Sequence, residues 1–245
     1  MPNKSKTAKK KNNAFSPSIL VALAVIVAVL VGLVFVIVHY TGGEETSSQA
    51  PSNSTTSVPT TETLKGTYYA ELELADGGKI VMELYADIAP ITVTNFVKLV
   101  QDKFYDGLTF HRVHEGFMIQ GGDPKGDGTG GSEEKIFGEF SANGFENNLS
   151  HTRGVISMAR RGNPYFDSAS SQFFICHGDS TFLDGQYAAF GKVIEGLDVL
   201  DAVAESEVTI NMSSGEMSTP VKPVIIESVS VDTFGVDYAE PETLK

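Results

Sequence analysis

Apolar and polar positions alternate strictly at the start of the globular part of the chain. Tyr69, Glu71 and Glu73 face one way; Ala70, Leu72 and Leu74 face the other. After Asp76-Gly77-Gly78 the alternation resumes, with Ile80, Met82 and Leu84 against Lys79, Val81 and Glu83. Period two on both sides of an Asp-Gly-Gly turn predicts a β-hairpin. The period then lengthens. Val93, Phe96, Val97 and Val100 lie three to four apart, with Phe104 continuing the stripe. That spacing predicts a helix, which Pro90 is suited to open. Shorter β-like runs follow at 108–113, 154–159, 172–176, 188–194 and 221–231, with a second short helix at 195–204. Strands do not alternate regularly with helices. The pattern therefore predicts a mainly β domain over 67–232, a closed or nearly closed antiparallel barrel.

The first 66 residues show neither period. Residues 19–38 are twenty consecutive positions without a charge. A helix of that length spans roughly 30 Å, the thickness of a bilayer core. The apolar run exceeds that of a cleaved signal peptide, and Val38-His39-Tyr40 supplies no small-x-small cleavage site. An uncleaved transmembrane helix is expected. Residues 1–18 carry five lysines and no acid, a basic tail that should stay in the cytoplasm and leave the domain outside. Residues 39–66 are dominated by Ser, Thr, Pro and Gly and are expected as a disordered linker. Residues 233–245 are expected as a C-terminal tail.

Charge narrows the partners. Five of 18 basic residues lie in the tail, leaving 13 against 31 acids, a balance of −18 for the rest. Such a body repels phosphate backbones, so nucleic acid is not an expected partner. Cys176 is the one cysteine, which excludes an intrachain disulfide.

Four features invite a chemical reading. Gly126, Gly128 and Gly131 form a G-x-G-x-x-G, but no helical stripe follows and the next residues are acidic. A phosphate site needs a helix N-terminus there, so a glycine-permitted turn is the better reading. His111 and His114 are separated by three, which puts them on opposite faces of a strand. Asp123, Asp127 and Glu133 lack the spacing of a calcium loop, so no metal is expected. Cys176 and His177 are adjacent in an expected strand and point apart, so Cys176 reads as a buried, inert thiol. In the run Leu108-Thr109-Phe110-His111-Arg112-Val113, alternation groups Arg112 with Leu108 and Phe110. A guanidinium among apolar side chains is either paired with an acid such as Glu115 or put to use. Pattern alone leaves both open.

Four blocks carry a resemblance. They are FYDGLTFHRVHEGFMIQGGDPKGDGTGG (104–131), NNLSHTRGVISMA (147–159), SSQFFIC (170–176) and FLDGQYAAFGKVIEG (182–196). In this order and spacing they closely resemble the cyclophilin family of peptidyl-prolyl cis-trans isomerases, over roughly residues 67–232. The resemblance implies a closed eight-stranded antiparallel barrel capped by two helices, with no cofactor and no metal. It implies isomerase activity on X–Pro bonds of polypeptides; a proline-peptide-binding module or holdase with little turnover is the alternative. By position, Arg112 matches the family's catalytic arginine and Gln120 the glutamine that orients it. Phe117, Met118, Phe174 and Leu183 match the floor and walls of the proline pocket. Ala159, Arg160, Arg161 and Gln172 match the groove for the residues before proline, and Gly128 lies near the rim.

Three departures stand out. Phe182 occupies a position where many members carry tryptophan, and Tyr187 one where many carry histidine. Both departures are similar to bacterial-type members, and the first implies weaker cyclosporin binding. The third is the segment 160–170, which is longer than usual, with Arg160 in place of an asparagine. Together with 1–38, the resemblance implies a membrane-anchored, bacterial-type isomerase. Its domain would lie outside the cytoplasm, on the surface of the cell membrane, assisting folding of extracytoplasmic polypeptides.

Overall fold

A computed structural model describes residues 64–232. The basic tail, the apolar span 19–38, most of the linker and the C-terminal tail lie outside the described residues. Among the described residues, no helix is long and apolar enough to cross a membrane. Leu64, at the end of the stretch expected as linker, is buried, and its N–H donates to Thr94 Oγ1 at 3.1 Å.

The alternating runs form the expected hairpin, β1 (Thr67–Leu74) and β2 (Lys79–Tyr85), paired from Thr67↔Tyr85 to Glu73↔Lys79. Ala70, Leu72, Ile80, Met82 and Leu84 are fully buried, so the apolar phase of both strands enters the core. Helix α1 (Pro90–Gln101) follows, with proline in its first turn. No residue at its N-terminus supplies a side-chain cap. The Glu139 carboxylate does so from a distant loop, accepting the N–H of Ile91 at 2.9 Å and of Thr92 at 2.8 Å. Phe96 of this helix stacks among Tyr105, Phe173 and Phe190 with ring centroids 5.1, 5.7 and 5.4 Å away.

The remaining elements are β3 (Arg112–His114), β4 (Met118–Gly121), β5 (Val155–Met158), β6 (Phe173–Cys176), β7 (Ala189–Glu195), helix α2 (Leu197–Ala204), the hairpin β8 (Val208–Ile210) and β9 (Met217–Pro220), and β10 (Ile226–Asp232). Eight strands form one antiparallel sheet in the order β10-β1-β2-β7-β5-β6-β4-β3. The expected closed barrel is a curled half-barrel. Its edge strands β3 and β10 do not pair along their length, because β3 begins only at Arg112 and the segment before it is irregular. A bridge at Thr109↔Ile225, flanked by Phe110 N–H to Val224 O (3.0 Å) and Ile226 N–H to Leu108 O (2.8 Å), draws the two edges together. The pairing of β8 with β9 was not foreseen from the pattern. Ile210 and Met217 are partners there yet both exposed, and the positions that β9 buries are Ser218 and Pro220, so no hydrophobic period marks these strands.

Candidate active site

Three neighbouring strands build one polar and apolar row. Arg112 on β3 pairs with Gln120 on β4, and Gln120 pairs with Phe174 on β6. One pleat along, Met118 pairs with Cys176. Side chains two apart on a strand share a face. Met118, Phe174 and Cys176 accordingly form a small apolar cluster of their own, with Phe117, Ala159, Leu183 and Tyr187 packed on it. The alternate residues Ile119, Phe173 and Ile175 turn the other way into the main core. The sheet thus separates the core from the floor of a pocket.

That pocket is a cavity of about 170 Å³. Arg112, Gln120, Phe117, Met118, Phe174, Leu183 and Tyr187 line it, with Ala159 and Arg160 at one side. The Tyr187 ring meets Phe174 edge-on, at 5.8 Å and 86°. Behind Phe174 lies His151, stacked at 6.0 Å and 15°. Its Nδ1 lies 2.8 Å from Asp184 Oδ1 and its Nε2 3.0 Å from Ser157 Oγ. Burial lowers the His151 pKa against the opposing pull of Asp184, which favours a neutral ring. Neither His151 nor Asp184 was singled out from the sequence. Both lie behind the pocket wall, where no motif of the chemistry calls for them.

A second, larger cavity of about 600 Å³ adjoins the first, sharing Gln120, Ala159 and Arg160. Gly128, Arg161 and Gln172 line this one. Phe182 lines neither cavity. It is 71% exposed on the rim, its ring 5.7 Å from that of Phe117.

The glycine loop is filled by the chain itself. The buried Asp123 carboxylate accepts the N–H of Lys125 at 2.8 Å and of Gly128 at 2.6 Å. Gly126 and Gly128 adopt φ of 68° and 88°, a region where a Cβ is costly. Two of the amides that a phosphate would need are already spent on a carboxylate. Cys176 and His177 do not interact as a dyad. His177 Nδ1 accepts the Gly116 N–H at 2.8 Å, its Nε2 lies 2.9 Å from Asp201, and burial pushes the Cys176 thiol up to about 12.

Arg112 is both paired and turned into the pocket. Its acid is not Glu115, which is exposed, but Glu216 on the turn between β8 and β9. Nε donates to Glu216 Oε2 at 2.6 Å and Nη2 to Oε1 at 2.8 Å. Nη1 makes longer contacts, 3.3 Å to Gln120 Oε1 and 3.7 Å to Met118 Sδ. Gln120 Nε2 donates to Gln172 Oε1 at 2.8 Å, and Gln172 Nε2 donates to the carbonyls of Gly130 (2.7 Å) and Gly128 (3.2 Å). Gln120 thus has a fixed amide orientation, with its oxygen toward the arginine. The hydrogen bonds from Arg112 hold the Glu216 carboxyl below its ordinary pKa.

Arg160 lines both cavities while its guanidinium is engaged by the chain itself. Its guanidinium lies over Tyr187, Phe140 and Phe166 at 4.7, 5.0 and 5.3 Å. It also donates to Gln186 O, Arg161 O and Asn163 Oδ1. The side chain is a buttress for the longer segment and for the pocket wall.

A family model described as cyclophilin type peptidyl-prolyl cis-trans isomerase/CLD matches residues 69–231. Peptidyl-prolyl cis-trans isomerase B of Bacillus subtilis is 45% identical over 149 residues, covering 61% of this chain and 93% of that protein. A peptidyl-prolyl cis-trans isomerase of Helicobacter pylori is 44% identical over 149 residues, covering 60% and 87%. The crystal structure of a cyclophilin-type isomerase from Cryptosporidium parvum is similar at TM-score 0.60 and 28% identity, covering 69% of this chain and 99% of that one. The same parasite protein, solved in the presence of the dipeptide Ala-Pro, is similar at TM-score 0.59 and 27% identity, covering 67% and 99%.

Proposed function

The chain belongs to the cyclophilin-type peptidyl-prolyl cis-trans isomerases, and we propose that Arg112 drives its turnover from the floor of the smaller cavity. The activity needs no nucleophile. Resonance opposes rotation about a peptide C–N bond with a barrier of about 18–20 kcal/mol. An X–Pro bond isomerises unaided over tens to hundreds of seconds. A site accelerates this by binding the twisted state better than either planar one.

As the bond twists, the proline nitrogen becomes pyramidal and gains a lone pair. An Arg112 N–H donates to that lone pair, a contact unavailable in the planar states. Phe117, Met118, Phe174 and Leu183 hold the ring while the acyl part turns. Arg161, Gln172 and Gly128 meet the residues before proline in the adjoining cavity. A charge-assisted hydrogen bond contributes about 1.5–3 kcal/mol net, whereas a 10⁵-fold acceleration requires about 7 kcal/mol. Clamping and the oriented dipoles of Gln120 and Gln172 supply the remainder.

The observation that carries this reading is an arginine that lines one cavity with Phe117, Met118 and Phe174 and whose Nη1 makes only long contacts. The test is turnover of a proline peptide by the full chain and its Arg112→Ala variant. A fall of about 10- to 150-fold is expected, the rate equivalent of one charged hydrogen bond. Undiminished turnover would remove Arg112 from the mechanism.

The setting is part of the proposal. Five lysines before the uncharged span 19–38 support an anchor with the domain outside the cytoplasm. There it would meet polypeptides emerging from translocation. Protease added to intact cells, or to protoplasts where a wall intervenes, should remove the domain; full protection would reject this orientation.

A further inference from the structure

The acid that holds the arginine comes from a part of the chain that no motif covers. We propose that Glu216 is a positioning residue for the isomerisation, fixing the guanidinium so that its Nη1 corner faces the proline. The proposal rests on the catalytic reading of Arg112.

Bond lengths divide the guanidinium into an anchored edge and a working corner. The Nε–Nη2 edge is gripped side-on at 2.6 and 2.8 Å. The Nη1 corner makes only the contacts of 3.3 Å to Gln120 and 3.7 Å to Met118. Short charge-assisted pairs are strong and geometrically specific, whereas a contact to a thioether sulfur is weak. An incoming lone pair therefore displaces the long contacts and leaves the short ones intact. Arginine offers its donors in a rigid plane, so gripping one edge sets the direction of the opposite corner. A carboxylate that masked the arginine would instead have to lie in the cavity. Arg112 lines that cavity and Glu216 does not.

The hairpin is built to present this carboxylate. Asn211 is buried, and its side-chain oxygen accepts the N–H of Ser213 at 2.8 Å and of Ser214 at 3.1 Å. Its own N–H donates to Glu216 O, and its carbonyl accepts the Gly215 N–H, both at 2.7 Å. Gly215 has φ 75°, which closes the turn directly before Glu216. The carboxylate thus stands on a closed, hydrogen-bonded turn rather than on a free tip.

The experiment measures kcat and KM for a proline peptide with the full chain and with E216A, E216Q, E216D, R112A and the double variant R112A/E216A. We expect E216A to lose about tenfold in kcat while KM stays within about twofold, since a contact that acts only through the transition state lowers kcat and leaves ground-state binding. E216D should recover part of the loss. On the R112A background, removing Glu216 should change nothing further, because coupled residues are not additive. The split between kcat and KM is the readout that a merely structural role would not give; loss of the Arg112 Nε–H NMR signal in E216A would report that the contact itself is broken. Should E216A fail to fold, E216Q carries the test, since it keeps the hairpin's backbone bonds and removes the charge. Full or raised kcat in the glutamate variants, with R112A slowed as expected, overturns the positioning role. An R112A variant with undiminished kcat overturns the catalytic reading beneath it.

Discussion

The guanidinium of Arg160 lies 4.7 Å from the centroid of the Tyr187 ring, and so ties the segment after β5 to the wall of the smaller cavity. Two further rings, Phe140 and Phe166, and three acceptors complete its surroundings. Exposed cation–π contacts are worth about 0.5–1 kcal/mol each. Arg160→Ala should destabilise the domain by about 1–3 kcal/mol, within the usual range for a lost network. It should also raise KM, because Tyr187 loses its backing. Arg160→Lys should recover little, since an ammonium cannot reproduce the planar fork. Denaturant titration together with KM checks this; a fully stable lysine variant would show that charge alone suffices.

Phe182 sits on the rim against Phe117 without lining the cavity. Phenylalanine lacks the indole N–H that tryptophan offers at this position in many relatives. A lost neutral hydrogen bond costs about 0.5–1.5 kcal/mol, or roughly 2- to 13-fold in affinity. Cyclosporin should bind more weakly than to tryptophan-bearing relatives, and Phe182→Trp should tighten it with little change in peptide turnover. Titration of both proteins with the drug decides the matter. Unchanged affinity would take Phe182 out of the drug-contacting rim.

Glu139 caps helix α1 from a fully buried position, and burial pushes its carboxyl from 4.5 up to about 7, against the pull of its two backbone N–H bonds. The folded state then holds a proton that the unfolded state releases between those two values. Stability attributable to this group is greatest below about pH 4.5, falls as pH rises to about 7, and is level above that. The full swing is on the order of 3 kcal/mol. Urea midpoints of the wild type and Glu139→Gln from pH 4.5 to 8 should diverge in slope, with the glutamine variant flatter. Parallel profiles would mean that the N–H bonds outweigh burial.

Cys176 lies under the pocket floor, with its thiol pushed up to about 12 by burial. A thiol reagent at pH 8 should leave the native protein unmodified and label it stoichiometrically once unfolded, because the thiolate is the reactive form. Rapid labelling of the native state would show that the floor opens.

Local pattern by itself determined the first hairpin with its buried face, and the existence of helix α1, whose burial extends beyond the predicted stripe to Thr92, Thr94 and Asn95. Side-chain period follows directly from backbone geometry, two in a strand and 3.6 in a helix. That several candidate site residues share one cavity has a related reason. Arg112, Phe117, Met118 and Gln120 lie within nine residues, so one strand–turn–strand brings them together. Tertiary structure alone decided how they are tuned. Glu216 reaches Arg112 across 104 positions, from strands whose facing residues Ile210 and Met217 are exposed. Such strands are held by backbone bonds and leave no hydrophobic period to read. The same limit hid the stacking of Arg160 and the open edge between β3 and β10. Each depends on the path of a loop and the register of distant strands, and neither is encoded in the spacing of neighbouring residues.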